Sequence, residues 1–314
     1  MKKCTAAALT LTAAGAATVA AAGLCWRIAF KKGPAADFTT REHGPDSPFT
    51  LHKEQLDRGL AYVDALPWER VYITSPDGLR LSARYCPAEH ERSLAILAHG
   101  YRSTGRSDFC CAVEPFLTAG RSLLLLDQRC AGESEGESIT FGVKERYDLL
   151  AWADYAAKRF PGLPIVLQGI SMGAATALMC ADFPLPASVA GIIADCGYTT
   201  PRDIICGVAR EKHLPTSLLW PLTRLGARLF GGFDPDGASA LASVRASRVP
   251  ILFIHGEADD YVPCQMSRRC AGECSAPSRL FTVPGAGHGF AYLTDPDGVQ
   301  QAIDDFLAQC CGIQ

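Results

Sequence analysis

Ser171 lies between two glycines in Gly169-Ile170-Ser171-Met172-Gly173. A serine hydroxyl attacks a carbonyl only when a neighbouring imidazole takes its proton and a carboxylate holds that imidazole in one tautomer. The local pattern suits such a role. Ile165, Val166 and Leu167 after Pro164 predict a short buried strand, and Gly173, Ala174, Ala175, Ala177 and Leu178 predict a helix with a slim face. Ser171 therefore occupies a strand-to-helix turn that matches the G-x-S-x-G nucleophile elbow. Taken alone, five residues fit a tight turn with a hydroxyl cap equally well, so the partners decide.

In such an elbow the acid and then the histidine follow the serine along the chain. Three histidines lie downstream. His213 reads as a solvated helix-end residue beside Lys212, and His255, closing "LFIHG", as a packed strand-end residue. His288 sits in "PGAGHGF", a glycine-rich loop between the last strand and the last helix, and is the favoured base. The favoured acid is Asp259 in "HGEADDYVP", ahead of its neighbour Asp260, while Asp195 at the end of "GIIAD" is a second contender. An oxyanion hole needs two backbone N–H groups, expected from Met172, directly after the nucleophile, and from Tyr101, after "LAILAHG". His99 in that loop reads as a structural hydrogen-bonding residue.

These side chains need a frame. "RVYITS" and "LRLSARYC", split by Pro76-Asp77-Gly78, predict an antiparallel hairpin. Apolar strands ("LAILAH", "RSLLLLD", "IVLQG", "VAGIIAD", "VPILFIHG", "SRLFTVPG") then alternate with helices, and residues 296–311 read as a closing helix. That alternation predicts an α/β fold with a mostly parallel sheet covered on both faces. Residues 197–248 break it with the apolar helical stretch "LPTSLLWPLTRLGARLF", expected as a cap over the carboxyl edge of the sheet. The expected organisation is a membrane or signal segment over 1–34, a linker and leading helix over 35–69, and the main domain over 70–314.

With "HGYRSTG", "DQRCAGES", "GISMGA", "HGEADDYVP" and "GAGHGF" in this order, residues 70–310 resemble the α/β-hydrolase superfamily. They are most similar to its bacterial serine-aminopeptidase-like and esterase-like group. The resemblance implies the α/β-hydrolase fold, no metal and no cofactor, and structural roles for Asp127 and Arg129 in "DQRCAGES". Cys130 departs from the histidine or glycine often found there.

The expected activity is cleavage of carboxylic esters of hydrophobic or lipid-like substrates, with Ser171, Asp259 and His288 catalytic. A serine peptidase is the alternative within the same chemistry, with Glu133, Glu135 and Glu137 as a possible amine-binding cluster. A non-catalytic, membrane-tethered binding module is the alternative from another class. Serine at the elbow argues against dehalogenase and epoxide-hydrolase chemistry, which need aspartate there.

The net charge of −3 leaves no basic field for nucleic acid. Cys4–Trp26 forms 23 residues without a formal charge, flanked by Lys2 and Lys3 on one side and Arg27, Lys31 and Lys32 on the other. As a helix it is long enough for a bilayer core of about 30 Å, so a single-pass anchor is expected, with a cleaved signal ending near Ala20-Ala21-Ala22 as the alternative. The flanking cations lean slightly towards a cytoplasmic main domain. The fourteen cysteines include no C-x-x-C pair, and Cys270 and Cys274 lack the further ligands of a zinc site, so buried free thiols are expected.

Overall fold

The computed structural model describes residues 2–34 and 43–313, apart from the side chains of 2–14. The start of the linker expected from residue 35 thus falls outside the described residues. Eight strands form one sheet: β1 (Glu69–Thr74), β2 (Arg80–Cys86), β3 (Ser93–Ala98), β4 (Arg121–Asp127), β5 (Ile165–Ile170), β6 (Val189–Asp195), β7 (Ile251–Gly256) and β8 (Ser278–Val283). Their order is β1-β2-β4-β3-β5-β6-β7-β8. The β1–β2 and β2–β4 pairs are antiparallel, and every later pair is parallel.

The helices are α1 (Lys2–Ala29), α2 (Pro48–Leu51), α3 (Lys53–Ala65), α4 (Gly105–Thr118), α5 (Glu145–Arg159) and α6 (Met172–Leu178). They continue with α7 (Pro201–Glu211), α8 (Thr216–Gly226), α9 (Ala240–Val244), α10 (Gln265–Gly272), α11 (Ala291–Thr294) and α12 (Pro296–Cys310). A π-helical turn, Ala227–Gly231, extends α8.

Side chains alternate across the pleat, so one apolar strand feeds two cores. Leu94, Ile96 and Ala98 of β3 join Leu149 and Trp152 of α5 and the alanines of α6 on one face. Ala95 and Leu97 join Phe109 and Phe116 of α4, Leu56, Leu60 and Val63 of α3, and Ile303 and Phe306 of α12 on the other. Covering on both faces is why these strands read as unbroken apolar runs. Polar side chains set the helix starts: Thr104 accepts from Ser107 N, Thr200 from Asp203 N and Asp295 from Gly298 N.

Between β6 and β7 the chain leaves the sheet for α7, α8, the π turn and α9. The N-terminal segment forms the expected helix, α1, but among the described residues no helix is long and apolar enough to cross a membrane. The spanning reading of Cys4–Trp26 therefore finds no support there. Instead, the C-terminal part of α1 packs on the protein. A Cβ on Gly226 of α8 would overlap the Ala22 carbonyl, so the two backbones meet directly. Phe30 is fully buried, edge-on to Phe141 and Phe233 at 5.7 and 5.1 Å. The chain beyond it pairs with the loop before α5: Ile139 N donates to Phe30 O and Lys32 N to Glu137 O, each at 2.7 Å. The thirteen described cysteines are free thiols.

Candidate active site

The turn between β5 and α6 is built by steric exclusion. A Cβ on Gly169 would overlap the Gly173 backbone, and one on Gly173 would overlap the Ala98 carbonyl of β3. Only glycines allow the strand, the turn and the neighbouring strand to pack this closely. Ser171 takes φ 55° and ψ −113°, a region that costs a side-chain-bearing residue about 1–3 kcal/mol. Its N–H donates to Asp195 O at 2.8 Å, which ties the strained residue to the end of β6.

The structure brings Ser171, His288 and Asp259 together. His288 Nε2 lies 2.9 Å from Ser171 Oγ, and His288 Nδ1 lies 2.7 Å from Asp259 Oδ2. His288 keeps about a quarter of its side chain exposed, whereas the Asp259 side chain is fully buried. The Tyr261 ring leans over the imidazole, with centroids 5.0 Å apart.

Asp259 is held by its own loop. Oδ1 accepts from Tyr261 N at 3.0 Å and from Val262 N at 2.7 Å. Oδ2 also meets His255 Nε2 at 3.2 Å. Burial pushes this carboxyl up, but the bonds to His255 and His288, the charge of His288 and the Val262 N–H outweigh it and bring the group to about 2. Asp260, its neighbour, takes no part in these bonds. His213 lies in the turn after α7, outside this cluster.

His255 does more than fill the strand end. Fully buried, it takes a 2.7 Å bond between Nδ1 and Ser267 Oγ, and Nε2 faces Val262 O at 2.8 Å. A carbonyl can only accept, so Nε2 carries the proton and shares it with Asp259. The role beside Asp259 was not legible in "LFIHG", because it depends on how the following loop folds back.

The loop after β3 faces the nucleophile. A Cβ on Gly100 would come 3.5 Å from Ser171 Cβ. Asp108 fixes this loop, accepting from Gly100 N at 2.6 Å and from Ser103 Oγ at 2.5 Å. His99 spans it: Gln128 N donates to Nε2 at 3.1 Å, so Nδ1 carries the proton and donates to Gly100 O at 2.8 Å. Neither the Tyr101 nor the Met172 amide donates to a backbone carbonyl among the described residues. Asp108 escaped the sequence reading because a single acid in a helix's first turn looks like a macrodipole partner.

Helix α1 also reaches this loop. Tyr101 Oη donates to Ala29 O at 2.8 Å, and Arg102 donates to Ile28 O at 3.1 Å and Lys31 O at 3.0 Å. The last carbonyls of a helix lack intrahelical partners, and here the loop supplies them. The Tyr101 ring lies tilted against Phe141 with centroids 4.8 Å apart, which carries the contact on to Phe30.

The "DQRCAGES" segment supports the same edge. Buried Arg129 grips Asp148 at 2.6 and 2.7 Å and reaches Asp77 at 3.0 Å, while Asp127 meets Arg70 at 2.9 Å. Glu133 binds Tyr72 and Arg70, and the Glu135 carboxylate accepts from Arg80 N, so both engage the β1–β2 hairpin. Cys196, Asp259 and His288 offer ligand atoms within 4.8 Å of one another, but burial pushes the Cys196 thiol far up and keeps it protonated.

A model described as the alpha/beta hydrolase family matches residues 95–302. The chain belongs to this family. Its sheet order, elbow and cap-like excursion are those of an α/β-hydrolase fold. Among solved structures, it superposes on the esterase Pf2001 of Pyrococcus furiosus with a TM-score of 0.63 at 21% identity, over 90% of this chain and 99% of that one. The esterase EaEST of Exiguobacterium antarcticum gives a TM-score of 0.56 at 16% identity, over 76% and 99% of the two chains. The uncharacterized protein YqkD of Bacillus subtilis is 27% identical over 194 residues, which are 61% of this chain and 64% of YqkD. The uncharacterized protein Rv2307c of Mycobacterium tuberculosis is 29% identical over 243 residues, 76% of this chain and 79% of the relative.

Proposed function

We propose that this α/β hydrolase cleaves carboxylic esters through an acyl-enzyme on Ser171. The observation that carries the reading is the continuous hydrogen-bonded run from Ser171 Oγ through His288 to Asp259. Ser171 Oγ attacks the acyl carbon while His288 Nε2 takes its proton. Asp259 keeps the Nδ1 proton in place and stabilises the imidazolium without itself being protonated. The Met172 and Tyr101 amides stabilise the tetrahedral oxyanion. His288 then protonates the departing alkoxide, the C–O bond breaks, and the alcohol leaves. Water attacks the acyl-Ser171 ester by the same proton path, releasing the acid and restoring the serine.

The two esterases that share the fold agree with this reading, as does the narrower sequence likeness to the bacterial serine-aminopeptidase-like and esterase-like group. An aminopeptidase needs carboxylates free to bind an amine, and Glu133 and Glu135 are instead engaged by the hairpin. A purely scaffolding role leaves the strain at Ser171 and the two bonds of His288 without a purpose. A hydrophobic acyl or alcohol portion is the expectation from the apolar composition of the excursion over residues 197–248. The test is p-nitrophenyl butyrate hydrolysis together with fluorophosphonate labelling. Both activities are expected, and both vanish in Ser171→Ala; turnover that survives this substitution removes the proposal.

A further inference from the structure

The most apolar surface of the molecule lies on the unit formed by α1, α8 and the π turn. Val19, Leu24 and Ile28 on α1, Leu218 on α8, and Leu229 and Phe230 on the π turn are six of the eleven large hydrophobic side chains exposed among the described residues. Three of the other five are tyrosines, which carry a polar tip. The exposure is deep: Ile28 keeps 64% of its surface and Leu218 keeps 62%. The elements form one body. Gly226 abuts Ala22, the Phe230 ring covers Gly23, and the Trp26 and Phe230 rings lie 5.9 Å apart.

Charge sets this unit apart as sharply as hydropathy. The chain carries 33 acidic residues, yet none falls in positions 1–36 or 212–233 of the sequence, within which α1, α8 and the π turn lie. The same stretches hold Lys2, Lys3, Arg27, Lys31, Lys32, Lys212, Arg224 and Arg228. Arg224 and Arg228 meet Asp234 just beyond the second stretch. Arg27, Lys31 and Lys32, at the end of α1, are exposed. An apolar face edged by Arg27, Lys31 and Lys32, on a protein of net negative charge, complements a lipid surface with anionic headgroups. A two-fold contact with a second copy would set these cations against one another.

We propose that the α1–α8–π face docks on the surface of an anionic lipid bilayer, with its aliphatic side chains at headgroup depth and its cations against the phosphates. The proposal goes beyond ester hydrolysis and does not depend on it. The whole chain is floated with vesicles of phosphatidylcholine alone or mixed with phosphatidylglycerol. Flotation is expected to favour the anionic vesicles by about tenfold at low salt and to lose that preference near 0.5 M salt. The triple variant Leu218→Glu, Leu229→Glu, Phe230→Glu leaves α1 untouched and is expected to float about tenfold less. A thermal melt checks that it folds. If it does not, Lys31→Glu with Lys32→Glu replaces it and is expected to abolish the anionic preference alone. Equal flotation of the wild type on both vesicles, undiminished in the triple variant, means that α1 inserts alone and overturns the proposal. So does an absence of flotation. A dimer in vesicle-free solution that the triple variant dissolves makes the face a self-interface and overturns it too.

Discussion

Two aspartates stand at or just beyond the ends of neighbouring parallel strands, and their surroundings could hardly differ more. Asp259, in the loop after β7, receives N–H donors on both oxygens: Tyr261 and Val262 on Oδ1, His255 and His288 on Oδ2. Asp195, the last residue of β6, is as deeply buried, but its Oδ1 finds no partner among the described residues. The first carboxyl is brought down to about 2. Burial pushes the second up to about 6; His255 and His288 oppose the rise, and the Asp259 charge adds to it. Each group reinforces the contrast, because an ionised Asp259 makes a second charge beside it costly. The loop that supplies donors keeps Asp259 charged down to about pH 2, whereas Asp195 takes up its proton below about pH 6, and only Asp259 is bonded to His288 Nδ1.

The largest effect should therefore follow Asp259→Asn. Asparagine keeps the shape but no longer holds the Nδ1 proton in place, so kcat for a p-nitrophenyl ester should fall by about 10³–10⁴-fold. Stability should fall as well, and with a characteristic pH signature. A carboxyl whose folded pKa lies below its unfolded value stabilises the fold above the unfolded value, and that stabilisation disappears as pH falls towards the folded one. With 3.8 as the reference and about 2 in the fold, the difference between wild type and variant should close between about pH 4 and pH 2. If Asp259→Asn keeps its rate and Asp195→Asn loses it, the roles assigned to the two acids are reversed.

A smaller effect should follow His255→Gln. The substitution removes the 3.2 Å contact to Asp259 and the bonds to Ser267 and Val262. Asp259 keeps three donors, so kcat should fall only about tenfold, with about 1–3 kcal/mol lost in urea unfolding for the buried groups left unpaired. A loss as deep as that of Asp259→Asn would mean that His255, and not the backbone of the loop, maintains the charge of Asp259.

The sequence made one half of this contrast readable. Strand ends follow from apolar runs broken by polar turns, and Ser171, Asp259 and His288 each stand in such a turn, so their meeting was open to inference. The ranking of Asp259 over Asp195 was open too, but the difference in their surroundings was not. Both follow an apolar strand, and what separates them is the path of residues 260–262, whose backbone N–H groups turn back on the carboxylate. The seating of α1 was hidden for another reason. Its alanine-rich run has no periodicity to mark a buried face, and its bonds to Tyr101 and Arg102 join residues more than seventy positions apart. Composition records the hydropathy of this helix and not which of its C-terminal residues meet α8 and the loop after β3.

The smallest effect on rate and the finest test of the comparison come from Asp195→Asn. The side chain makes no bond to His288, so kcat should stay within about threefold of the wild type. Stability should respond in the direction opposite to that of Asp259. A carboxyl whose folded pKa lies above its unfolded value stabilises the fold fully below the unfolded value, and that contribution is lost as pH rises through the folded one. For Asp195 the window runs from 3.8 to about 6, and the ionised form weighs on the folded state by at most about 3 kcal/mol above it. Asparagine carries no such charge, but a buried amide N–H donor left without a partner destabilises by about 1–3 kcal/mol at every pH. The offset between variant and wild type therefore mixes two terms, whereas its change with pH isolates one. Urea unfolding across that window should show the variant gaining on the wild type as pH rises from 4 to 6 and running parallel to it beyond. A difference that stays flat across the window would mean that Asp195 is ionised at its usual value, and the contrast between the two acids would then rest on hydrogen bonds alone.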